Sequence, residues 1–219
     1  MNGLSRKLVL LIAVIAVVGA ASAVAYVGGF PPFERRGDIS AESVCETLGD
    51  GEAAASELAE VLPDEPEYSF EDRIDGRTVT QGGSSFTADC LVRGGGSVLL
   101  SARTQMMVAD PDRDWAAEAL GDYSAAERAD SFEAGSMGVL AGGRAAVLVP
   151  CSAPGSVIGG SYSLSVVVDL KQQDASAAER VRQGLADLAV GAARYAHRAA
   201  GCDVPSRLPS ASPRLGGGA

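Results

Sequence analysis

Residues 176–202, SAAERVRQGLADLAVGAARYAHRAAGC, set the architecture expected of this chain. Ser176 and Glu179 form a capping-box signature, Asp174 is the other candidate N-cap, and Gly201 stands where a helix would stop. Between them Val181, Leu185, Leu188, Ala192, Tyr195 and Ala199 recur at spacings of 4, 3, 4, 3 and 4, which draws one apolar stripe down a helix running to about Ala200. Barely three heptads are covered, so the stripe predicts packing on the domain's own sheet ahead of a coiled-coil partner.

The sheet is expected upstream. Residues 162–168, YSLSVVV, alternate as a strand, and residues 137–140 and 144–151 have the same character, broken from it by Pro154-Gly155 and Gly159-Gly160. These segments predict a second hairpin. Earlier segments, 68–74, the Asp75-Gly76 turn, 77–80, 84–92, the Gly94-Gly95-Gly96 turn and 98–108, predict an antiparallel meander. Residues 110–123 read as a loop and short helix around Trp115, and 124–132 as a polar helix or loop. At the front, Ser40 caps a helix carrying Val44, Cys45 and Leu48, Gly49-Asp50-Gly51 interrupts it, and a second helix covers 52–62 before Pro63. The fold class is α+β, an antiparallel sheet covered by helices, within residues 39–202.

Residues 8–27, LVLLIAVIAVVGAASAVAYV, hold no charge and have the length a helix needs to cross about 30 Å of hydrocarbon. Arg6 and Lys7 precede them, while Glu34, Arg35, Arg36 and Asp38 cancel beyond, so residues 1–7 are expected in the cytoplasm and the rest outside it. The small-x-small patterns Ala21-Ser22-Ala23 and Ala23-Val24-Ala25 leave cleavage and secretion as the alternative to a retained signal anchor, and no Cys stands near to be lipidated. Residues 28–38, with Pro31-Pro32, read as a linker. Residues 203–219, with Pro205, Pro209, Pro213 and Gly216-Gly217-Gly218, are expected to be a disordered tail. The chain beyond Lys7 keeps 16 of the 18 basic side chains against 28 acidic ones, a balance that repels phosphate backbones and argues against nucleic acid as a partner.

Cys45, Cys90, Cys151 and Cys202 all fall in the exported part, with no C-x-x-C pair of the kind a zinc or thioredoxin-like site requires. Two structural disulfides are the economical reading. Of the three connectivities, Cys45–Cys90 and Cys151–Cys202 are preferred, each joining a helix to a strand. Their similar separations raise two arrangements, a single continuous sheet or two pseudo-repeated modules, one with its helix before the strands and one with its helix after.

The apolar anchor, an early helix Cys (SVCETLG), a strand Cys (FTADCLV), a strand-end Cys (VLVPCSA) and a helix ending in Gly-Cys (AAGC) together resemble the uncharacterised membrane-anchored or secreted extracytoplasmic proteins of streptomycete-like actinobacteria. Composition agrees with a high-GC genome, since Lys occurs only at positions 7 and 171 and Asn only at position 2. The resemblance implies architecture and no ligand, activity or catalytic residue.

Signals for chemistry are sparse. His197 is the only histidine, so a Ser-His-Asp or Cys-His mechanism has to use it, and the nearest approach to a nucleophile elbow, Ala134-Gly135-Ser136-Met137-Gly138, lacks the first glycine. The helix dipole favours a histidine near a helix C-terminus, and His197 is read as a surface group there ahead of a catalytic base. Asp110, Asp112 and Asp114 are spaced like the opening of a calcium loop, but Trp115 stands where the turn needs Gly and Gly121 where a bidentate Glu is expected. A capped, solvated loop before a helix is the preferred reading, with calcium the alternative. The glycine pairs and triplets lead into no phosphate-binding signature and read as turns. Trp115, Tyr123 and Phe132 are read as packing residues ahead of a carbohydrate or peptide surface. No cofactor is called for. The expectation is a membrane-tethered extracytoplasmic binding module with the bilayer and an envelope protein as partners; the alternatives are an envelope hydrolase using carboxylates and a structural surface protein.

Overall fold

Seven strands form one antiparallel sheet: β1 (Tyr68–Asp75), β2 (Thr87–Gly94), β3 (Ser97–Met107), β4 (Asp130–Phe132), β5 (Met137–Ala141), β6 (Arg144–Pro150) and β7 (Ser163–Leu170). Their spatial order is β1-β2-β3-β7-β6-β5-β4 in the computed structural model, which describes residues 36–153, 160–171, 179–213 and 215. Two meanders meet at the β3–β7 pair, where Leu100 faces Leu170 and Thr104 faces Val166. The apolar segment 8–27, most of the expected linker, Asp174 and Ser176 lie outside the described residues. Among the described residues no helix is long and apolar enough to cross a membrane.

The chain divides into two units, Met1–Gly37 with Asp64–Pro66, and Asp38–Pro63 with Glu67–Ala219. In the first, Gly37 donates its N–H to the Glu65 carbonyl at 2.7 Å and Arg36 pairs with Asp64. The sheet and its helices make up the second.

Alternation in β2, where Ala88, Cys90, Val92 and Gly94 are buried and their neighbours half-exposed, gives the sheet an inner and an outer face. The inner face is covered by the long helix α4 (Glu179–Ala199), which lies on β3, β6 and β7, while α1 (Gly51–Val61) packs on α4; α2 (Arg113–Leu120) and α3 (Tyr123–Glu127) come between them in the chain. Asp50 starts α1 by accepting the Ala53 N–H, and Ala54, Ala55, Leu58 and Val61 are its buried side. On α4, Val181, Leu185, Leu188 and Ala192 are buried as the stripe predicts, but so are Ala186, Ala189, Val190, Ala193 and Ala196. The helix is packed on two sides, against the sheet and against α1, so its buried face is wider than one stripe.

On the outer face α2 and α3 pack over β5, β6 and β7. Trp115, Ala116, Ala119 and Leu120 press on Val139, Ala146 and Leu148 in a second, smaller core. Trp115 also donates its indole N–H to the Ser165 hydroxyl at 3.0 Å, which satisfies both buried groups.

Disulfides join Cys45 to Cys90 and Cys151 to Cys202. Local departures from the sequence reading have identifiable causes. The helix expected from Ser40 is a turn followed by a short 3-10 segment, Glu46–Leu48, because the backbone leaves helical values on both sides of it, at Cys45 (ψ 132°) and at Gly49 (φ 99°). The strand expected at 77–80 is a 3-10 turn, Val79–Gln81, closed by a Thr78/Gln81 capping box, with the Val79 N–H on the Ala200 carbonyl. Within 124–132, α3 gives way to the short edge strand β4.

The expected disordered tail is the largest departure. Residues 203–213 run as irregular chain laid back along α4. His197 donates a ring N–H to the Val204 carbonyl at 2.8 Å, Arg194 to the Pro209 carbonyl, and Gln183 its amide to the Pro213 carbonyl at 2.8 Å. Proline removes backbone donors, which reads as disorder in a sequence, but its carbonyls remain good acceptors for side chains on a neighbouring helix.

Candidate functional site

Glycine brings α1 and α4 together. A Cβ on Gly191 would lie 2.6 Å from the Leu48 carbonyl oxygen, one on Gly49 2.7 Å from the Gly191 carbonyl oxygen, and one on Gly184 2.6 Å from the Val61 side chain. Gly184 and Gly191 are seven residues apart and so stand on one face of α4, two turns apart. Gly191 meets the chain just before α1 and Gly184 meets its far end, so the two helices run antiparallel.

Beside this seam opens a cleft of about 570 Å³, within the range of small-ligand sites. Small residues, among them Gly49, Gly51, Ala53 and Gly191, line it, and its charges are sorted. Glu57 and Asp187 stand towards the Gly184 end, while Arg194 and Arg198 follow one and two turns beyond Gly191. Burial raises the Glu57 carboxyl above the usual carboxylate range, and the like charges of Asp187 and Glu60 add to it. Asp187 accepts from the Gln183 amide at 3.0 Å, and Glu60 is met by Arg180 at 3.7 Å.

A second concavity, of about 520 Å³, lies on the sheet itself. Beyond β7 the apolar part of the outer face continues only to Met107, at the end of β3. On β1 to β3 the same face carries Glu71, Arg73, Asp89, Leu91, Arg93, Arg103 and Gln105. Register explains the charge pattern: Arg73 lies opposite Asp89, which lies opposite Arg103, and Glu71 sits two residues along β1 from Ser69, the residue opposite Arg93. Arg93 pairs with Glu71 at 2.8 Å and Arg103 with Asp89 at 3.3 Å, both exposed to water and therefore worth little to stability.

The residues singled out in the sequence are scattered. Asp112 caps α2 by accepting the Trp115 N–H at 2.9 Å, and Asp114 accepts the Tyr123 hydroxyl at 3.1 Å, which holds that phenol above its ordinary pKa. Among the described residues no three His, Cys, Asp or Glu side chains gather as a metal ion would need. His197 is spent on the tail carbonyl. Trp115 and Phe132 are buried, whereas Tyr123 is 60% exposed. Sequence reasoning missed the facing of Glu57 and Asp187. Its one signal was the pair Gly184 and Gly191, small residues at a two-turn spacing that allow close backbone approach.

Comparison with protein-family models, with curated proteins and with solved structures finds no match. What the fold and the two concavities define is a disulfide-bonded α+β domain suited to an oxidising compartment.

Proposed function

We propose that this chain is a non-enzymatic binding module of the bacterial envelope, tethered through residues 8–27 with its folded part outside the cytoplasm, and that an envelope protein docks on the outer face of β1–β3. The observation that carries the reading is the unequal treatment of one sheet face. Apolar residues on β5–β7 are covered by α2 and α3, while the charged residues on β1–β3 have no described helix over them. Arginine-rich, mixed-charge surfaces give association its orientation and specificity.

The test places a photo-crosslinking residue at Gln105 in the full chain in its own cells, with Glu127 on α3 as the control position. A discrete adduct from Gln105 alone, lost when Arg73 and Arg103 are both changed to Glu, supports the reading. Equal labelling from both positions refutes it.

Glu57 supports a second reading, a hydrolase, because a carboxyl held above its usual range can donate a proton nearer neutral pH. Under that reading Glu57→Gln abolishes turnover in a folded chain; under the first it leaves the crosslink at Gln105 untouched.

A further inference from the structure

The sorted charges of the α1–α4 cleft carry an inference independent of the sheet face. Asp187 and Arg194 are seven residues apart on one side of α4, which places them about 10 Å apart along the helix axis. Three extended residues of polypeptide span about the same length. Between the charged ends the lining is mostly glycine and alanine, with Leu48 and Leu188 already packed into the core beneath, which leaves backbone-width room. At the acidic end Glu57 reaches across from α1, its Oε2 3.1 Å from where a Cβ on Gly184 would stand. At the basic end Arg198 and Arg194, the latter already giving one guanidinium nitrogen to the Pro209 carbonyl and keeping its other donors, stand with the first turn of α1, whose partial positive charge has the same sign. Asp50 also lines that end, but its carboxylate already accepts the Ala53 N–H.

We propose that this cleft binds a short extended peptide with free termini, about three residues long, its ammonium group between Glu57 and Asp187 and its carboxylate at Arg194 and Arg198. Matching charges at both ends sets the direction in which the peptide lies, and the small-residue floor admits its backbone. A single amino acid is too short to reach both ends. A longer peptide keeps only one.

Calorimetric titration of the full chain in detergent with trialanine tests this. Saturable binding is expected, weakened about tenfold when either terminus is blocked, as N-acetyl-trialanine or as trialanine amide, the change expected for loss of one charge-assisted contact. The variants then assign the ends. Asp187→Asn weakens trialanine but not N-acetyl-trialanine; Arg198→Ala weakens trialanine but not trialanine amide. Absence of saturation, or an affinity indifferent to both blocking groups, overturns the proposal. Should a variant fail to fold, the blocked peptides on the unaltered chain still decide it.

Discussion

Glu57 shows how one half-buried carboxylate links acidity to stability. Its folded pKa lies above the unfolded value, so the folded state binds the extra proton, and stability falls as pH rises from the ordinary carboxylate value through the raised one. Glu57→Gln is expected to flatten that slope and to stabilise the chain at neutral pH by less than about 1 kcal/mol, since water screens a group this exposed. Melting temperatures of both chains across pH 4 to 8 check it, and a steeper slope in the variant would contradict it. Gly191 is the opposite case, a residue whose value lies in what it lacks. Gly191→Ala gains helix propensity, but its methyl carbon would meet a carbonyl oxygen at 2.6 Å, and backbone cannot move aside as a side chain tip can. A net loss of about 1–3 kcal/mol in denaturant unfolding is expected.

Among the elements, α2 and α3 stand out because they are short and depend on one large anchor. Trp115 is 4% exposed and holds α2 to β5–β7 through ring packing and the Ser165 hydroxyl. Trp115→Ala is expected to cost about 3–5 kcal/mol and Trp115→Phe about 1 kcal/mol, separating the packing from the hydrogen bond. The irregular segment after α4 is likewise held by few contacts. Deleting residues 204–219 removes the carbonyl partners of Gln183, Arg194 and His197, so hydrogen exchange along α4 should speed up while β2 and β3 stay protected. Unchanged exchange would mean that the segment merely rests on the helix. The amphipathic stripe of α4 and the alternation of β2 and β7 were legible in the sequence, because periodicity reports which side faces a core. The turn at 77–80, the short β4 and the pinned tail were not. Their conformations depend on partners distant in the chain, such as the Ala200 carbonyl for Val79 and the face of α4 for Pro209 and Pro213.

At the scale of the whole molecule the cysteines were the most informative letters. The pairing preferred from the sequence is the one the structure holds, although Cys45 stands just before a 3-10 turn and Cys151 and Cys202 lie just past β6 and α4, whereas Glu57 and Asp187, 130 residues apart in sequence, gave no local sign that they would share a cleft. The separations of 45 and 51 residues mean that each bridge restricts the unfolded chain by about 4 kcal/mol. Replacing Cys45 and Cys90 together by Ala should lower unfolding free energy by about that amount, and a loss under 1 kcal/mol would show that the entropy argument fails here. The two covalent rings, 45–90 and 151–202, do not overlap. A protease that nicks the chain inside either ring leaves fragments that migrate as one species until a reductant is added. A cut at 108–112, between the rings, parts the molecule into two pieces with no bond between them, so the exposed Val108 neighbourhood is where a single scission would end its life as one covalent body.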